Sequence, residues 1–225
     1  MKHLVPLLAL LLALIGCAQL PRVYPGPAAV TSISRDCTDL FPQGRWQLLH
    51  AIEATVPGGK KHLLTGVSVL SSRERSINWA LMTTEGFVLF SGRYDGKLTI
   101  DRAIPPFDRP GFGQGLMDDL KALFFAPRAP LITAGHLKSG EQVCRYASLE
   151  MTSDIVIGPD GTWTEHQYSV HQRLVRSIRA DTIVSEGHSV LARHIVVKDH
   201  GMLGYQLELK LLEAIPLDAP ARTEE

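Results

Sequence analysis

The chain has 225 residues, 45% of them hydrophobic, and its 23 lysines and arginines are matched by 23 aspartates and glutamates. The balance lacks the basic excess or stripe of a nucleic-acid binder, and the length suits a single domain, including a large all-β one. Beyond the first residues no apolar run is long enough to span a membrane.

Lys2 and His3 precede an apolar run from Leu4 to Ile15, broken only by Pro6 and closed by Gly16 and Cys17. A charged start, an apolar core and a small residue at the cut make a secretory signal over residues 1–16. The core is about a dozen residues, too short for a bilayer of ~30 Å. Leu14-Ile15-Gly16-Cys17 resembles the bacterial lipobox. That resemblance implies cleavage before Cys17, acylation of its thiol and new amino terminus, and a membrane anchor made of acyl chains, each buried methylene contributing ~0.8 kcal/mol. Ala18 stands where an Asp would resemble an inner-membrane retention signal, which suggests the periplasmic face of the outer membrane. With Cys17 lipidated, Cys37 and Cys144 are left as an even pair in an oxidising compartment, and a Cys37–Cys144 disulfide is expected.

Residues 17–44 read as a lipid-anchored tether, rich in proline. Short β-branched runs follow. Strands are expected over Trp46–Val56 and His62–Leu70, joined at Pro57-Gly58-Gly59, then over Ser76–Thr83, Gly86–Ser91 and Leu98–Asp101. In the fourth, Phe87 and Leu89 fall on one face and Val88 and Phe90 on the other. Pro105-Pro106 ends this meander. Gly115–Phe125 is the helix candidate, with Leu116, Leu120, Leu123 and Phe124 at helical spacing and Asp118-Asp119 in its N-terminal half. Strands resume over Glu141–Leu149, Ser153–Ile157, Thr162–Val170, Arg173–Ala180, His194–Val197 and Leu203–Leu212, and residues 216–225 read as a polar tail. About 11 strands and one short helix, spread over residues 45–215, predict a mainly β protein: a half-open antiparallel β-barrel whose helix buries its apolar face on the concave side as a lid.

The element order carries a resemblance. The strand run from Thr65 to Arg102, the segment Asp119 to Pro127 ending in a proline break, the Pro159-Asp160-Gly161-Thr162-Trp163 hairpin and the closing strand Tyr205–Leu212 together resemble the LolA/LolB superfamily of lipoprotein carriers over about residues 45–212. Within it the chain is most similar to LolB-like outer-membrane lipoproteins encoded beside aryl-polyene biosynthesis genes. The resemblance implies an apolar cavity that receives acyl chains. LolB itself carries a protruding apolar residue at the turn after the third strand. The matching turn here, Thr83-Thr84-Glu85-Gly86, has none, so a glycolipid or polyene lipid fits as cargo as well as lipoprotein acyl chains.

Candidate cavity residues are Trp46, Trp79, Leu81, Phe87, Leu89, Leu116, Leu120, Phe124 and Trp163, an aromatic and aliphatic set suited to an acyl site. Gly111 to Gly115 would let the helix swing. Catalytic alternatives are weak. Gly187-His188-Ser189-Val190-Leu191 lacks the closing glycine of a nucleophile elbow, the histidines show no metal spacing, and Asp118 and Asp119 point apart on a helix, as a solvated face. The expected function is a non-enzymatic carrier of lipidic or lipidated cargo, without cofactor, metal or nucleic acid, attached to the membrane through Cys17 and served by a periplasmic carrier protein. A scaffolding lipoprotein is the alternative.

Overall fold

A computed structural model describes residues 20–25, 36–186, 189–201 and 204–218. The signal segment 1–16, Cys17, and residues 219–225 of the tail lie outside them. Twelve strands form one antiparallel sheet: β1 (Arg45–Thr55), β2 (Lys61–Ser71), β3 (Ser76–Thr83), β4 (Val88–Tyr94), β5 (Leu98–Ala103), β6 (Leu131–His136), β7 (Gln142–Ala147), β8 (Met151–Ile157), β9 (Trp163–Ser169), β10 (Leu174–Glu186), β11 (Ser189–Asp199) and β12 (Gln206–Pro216). The helix α1 (Phe112–Phe124) lies between β5 and β6 in the chain.

The spatial order is β5-β4-β3-β2-β1-β12-β11-β10-β9-β8-β7-β6. Two meanders, β1–β5 and β6–β12, are therefore joined where β1 pairs with β12. β5 and β6 are the two edges, and the sheet does not close. The segment containing α1 must carry the chain from one edge to the other, and the apolar face of the helix is buried against the sheet on the way. Alternation sets which side chains line that side. On β1, Trp46, Leu48, His50 and Ile52 are buried while their neighbours are half-exposed. Leu70, Ile77, Trp79, Leu81, Phe90, Ile155, Trp163, Ile178, Leu191 and Ile195 join the same cluster, together with Met117, Leu120, Leu123 and Phe124 of α1.

The half-open barrel with a helix on its inner face is the expected fold, with corrections. β4 turns the opposite face inward: Phe90 is fully buried and Phe87 is 67% exposed. Leu81 pairs with Phe90 and Met82 with Val88, so Leu89 is an extra, bulged residue, and the bulge breaks the alternation on which the expected face rested. β6 is not among the expected strands, which resume only at Glu141. It is an edge strand, and Gly135 is where the chain from residue 20 crosses it. A Cβ at Gly135 would lie 2.1 Å from the Tyr24 carbonyl oxygen, while Tyr24 and His136 exchange two backbone hydrogen bonds of 2.8 Å. β10 and β11 run well past their expected ends at Ala180 and His194. Polar Asp181, Thr182, Ser185, Glu186 and Ser189 hid that long hairpin.

Two boundaries also move. The expected tether 17–44 gives way to folded structure within it: Cys37 and Phe41 are buried in the core, Phe41 packs 5.3 Å from the Trp163 ring, and Cys37 is disulfide-bonded to Cys144. Arg145, bidentate to Asp154 at 2.6 and 2.7 Å, also donates to the Pro21 carbonyl at 2.7 Å and so holds the stretch 20–25 against the sheet. At the other end, Leu217 N–H donates to the Arg45 carbonyl and Arg45 N–H to the Asp218 carboxylate, so the sheet extends beyond residue 215.

Candidate functional site: the space between the helix and the sheet

α1 begins three residues earlier than expected, after Gly111, whose φ of 80° is left-handed and favours glycine. At Gly113 the helix comes so close to β4 and β5 that a Cβ would lie 2.7 Å from Ile100 Cδ1. Its other end is held by Arg75, from the β2–β3 turn, which donates to the Ala126 carbonyl at 2.9 Å and lies 4.9 Å over the Phe125 ring.

Among the expected cavity residues, Trp46, Trp79, Leu81 and Trp163 of the sheet and Leu120 and Phe124 of α1 are buried in one cluster. Leu116 packs at its margin. Leu89 is half-buried on the bulge, and Phe87 stands outside. One cavity beside the last turn of the helix has a volume of about 20 Å³ and is bordered by Leu48, His50, Leu123, Phe124, Trp163 and Leu211. That holds one water and no acyl chain. For an acyl chain to enter there the helix must shift.

Sequence reasoning passed over the polar groups in this interior. His50 sits 6.0 Å from the Phe124 ring, and burial pushes its pKa down to about 4. Asp119, read as part of a solvated helix face, is 3% exposed. Its position three residues from Leu116 and four from Leu123 already placed it on the apolar side. Tyr205 O–H donates to Asp119 Oδ2 at 2.6 Å, and Arg176 Nη2 lies 3.0 Å from Oδ1. The latter contact is off-axis: an ion pair, without a directed hydrogen bond to Oδ1. Burial raises the Asp119 pKa against the pull of Arg176 and Tyr205. Burial would lower Arg176, but Asp119 and Tyr205 outweigh it and hold the guanidinium above its ordinary range.

Arg176 Nη1 approaches Gln167 Oε1 at 3.4 Å, and Gln167 donates to Glu165 Oε1 at 2.9 Å. Glu165 is buried, its Oε2 has no partner, and burial pushes its pKa up. Period two from the inward Trp163 through Glu165 to Gln167 was the available signal for this row. Ser189 begins β11, where its Oγ accepts from Gln43 N–H at 2.9 Å.

No protein-family profile matches the chain, and no curated protein matches it in sequence. Solved structures do. A LolA superfamily protein from Nitrosomonas europaea is similar with a TM-score of 0.59 at 14% identity, over 86% of this chain and 96% of that one. A domain assigned to an outer-membrane lipoprotein-sorting protein from Vibrio parahaemolyticus is similar with a TM-score of 0.53 at 7% identity, over 85% and 93%. At those identities the likeness is one of fold, and it spans nearly the whole of each neighbour.

Proposed function

We propose that the protein is a carrier of amphipathic, acyl-bearing cargo in the bacterial envelope, without enzymatic activity or cofactor. The observation that carries this reading is α1 itself. An amphipathic helix, on the segment that links the two edge strands of an open sheet, packs against an interior of Trp, Phe and Leu, and the cavity beside its last turn holds about 20 Å³. A helix tied to a sheet mainly by apolar contact can exchange that contact for an acyl chain at little net cost, since both bury similar area. The fold likeness to a lipoprotein-sorting domain supports the same reading.

On this reading Cys17 bears the anchor, three residues before the stretch that Arg145 holds at Pro21. The protein then faces the periplasm from the outer membrane and receives lipoprotein acyl chains, a glycolipid or a polyene lipid from a soluble carrier. The deciding experiment is mass spectrometry of organic extracts from protein purified out of a native-like envelope. A stoichiometric lipid or acylated species is expected; an empty protein that also ignores a fluorescent fatty acid rejects the carrier.

A second reading, a docking scaffold, is favoured by one observation. The turns at one end of the sheet carry exposed apolar side chains, with Leu149 98% exposed between β7 and β8, Val170 between β9 and β10, and Phe87 between β3 and β4. The expectation that the β3–β4 turn lacks an apolar tip is corrected by Phe87, one residue beyond the four that were considered.

A further inference from the structure

A buried carboxylate on the sheet-facing side of an apolar helix is costly. Opposite charges inside a protein seldom repay their desolvation, and a leucine at position 119 would continue the apolar stripe of α1. The pair that Asp119 enters is also underfilled. Tyr205 O–H reaches Oδ2, but Arg176 Nη2 meets Oδ1 off-axis, and both Oδ1 and Arg176 Nε, though buried, have no hydrogen-bond partner. A guanidinium takes a carboxylate best through two parallel N–H donors. The receiving side, by contrast, is set on the sheet. Arg176 is on β10 beside Gln167 of β9, and Tyr205 immediately precedes β12. The neighbouring carboxylate of Asp199 is already engaged by Gly204 N–H at 2.8 Å. Past Asp119 along α1 come Leu120, Leu123 and Phe124, the apolar contacts that a chain would replace.

We propose that Asp119 holds the place of the cargo's own headgroup: Arg176 and Tyr205 form a headgroup site, and the cargo is an acyl chain ending in a carboxylate or phosphate. This rests on the carrier reading and specifies its cargo. When α1 lifts, Asp119 leaves with it. The site then presents the guanidinium and phenol donors to an incoming anion while the acyl chain takes the place of the helix's apolar side chains.

The test uses tryptophan fluorescence, because Trp46, Trp79 and Trp163 are all buried in the core cluster that the apolar face of α1 joins, and a brominated chain quenches only on contact. The full chain in detergent is titrated with 9,10-dibromostearic acid and with 9,10-dibromostearyl alcohol, which share a chain and differ in headgroup charge. The acid is expected to quench at roughly tenfold lower concentration, the range of a charge-assisted hydrogen-bond pair. Asp119→Asn keeps an acceptor for Tyr205 while removing the internal rival, and strengthens quenching by the acid several-fold but not by the alcohol. The double variant Asp119→Asn with Arg176→Gln leaves no unpaired charge to unfold the protein, and brings acid and alcohol level. Equal quenching by both ligands in the wild type and in Asp119→Asn overturns the headgroup site and leaves the carrier standing. Competition by acetate as strong as by the brominated acid overturns the acyl part, leaving a small-anion site. Quenching by neither ligand in any variant rejects the carrier reading itself.

Discussion

His50 shows what one side chain under the helix does to the whole. Its neighbours are Leu48, Leu123, Phe124, Trp163 and Leu211, with no acid among them to hold a proton on the ring. A pKa of about 4 in the fold against 6.5 unfolded means that the unfolded chain binds the proton more tightly. The stability His50 confers is therefore present above pH ~6.5 and is lost as pH falls through 4, about 3 kcal/mol at that point. Asp119 and Glu165, raised by burial, act in the opposite sense: their contribution is held in acid and lost as pH rises through their folded pKa values. His50→Leu isolates the first effect. In urea unfolding, the stability of the wild type relative to this variant should drop by ~3 kcal/mol between pH 7 and pH 4; a constant difference would show that the ring is not buried neutral. Nothing in the local sequence marked His50 beyond its even spacing from Trp46 and Leu48. Burial by a helix some seventy positions away along the chain is not a local property.

At the scale of elements, the balance between a seated and a lifted helix is set at its two ends. Arg75 gives α1 a hydrogen bond to the Ala126 carbonyl and a cation over Phe125, together ~1–3 kcal/mol. Arg75→Ala should loosen that end. Hydrogen exchange at residues 120–126 should quicken and a fluorescent fatty acid should bind several-fold tighter, while unchanged exchange would place the hold on α1 elsewhere. Gly135 tests another element. In Gly135→Ala the new methyl meets the Tyr24 carbonyl, so the Tyr24–His136 pairing should open with rapid amide exchange at both residues. These elements also show what was legible. β1, β2, β3, β8 and β9 emerge within a few residues of their expected ends, and β1 alternates along its length. β6 was missed because an edge strand tolerates proline and glycine, and the face of β4 because a bulge adds a residue that a period of two does not count. Asp119 was misplaced by weighing its charge above its helical position.

For the molecule as a whole, the question is what holds a sheet that does not close in one curvature. β1 and β12 sit at its centre, so the first meander and the second meet along a single seam. The helix packs its apolar face into the core, and the Cys37–Cys144 bond adds a covalent tie between the segment before β1 and β7, next to the β6 edge. It closes across a sequence separation of 107 residues, encompassing β1 to β6 and α1. Such a loop removes ~3–5 kcal/mol of chain entropy from the unfolded state. The pairing was legible from cysteine parity. The burial of Cys37 and Phe41 was not, because prolines around them read as spacer. Replacing both cysteines with alanine should lower the unfolding free energy in urea by about that 3–5 kcal/mol, with the loss falling in the midpoint more than in the slope. The same variant separates two roles of the bond. If it serves only to restrict the unfolded chain, hydrogen exchange in native buffer should quicken uniformly by the global amount. If it also clamps the N-terminal segment over Trp163, then Phe41 and the backbone of residues 36–44 should exchange first, and tryptophan emission should shift to the red before the sheet unfolds.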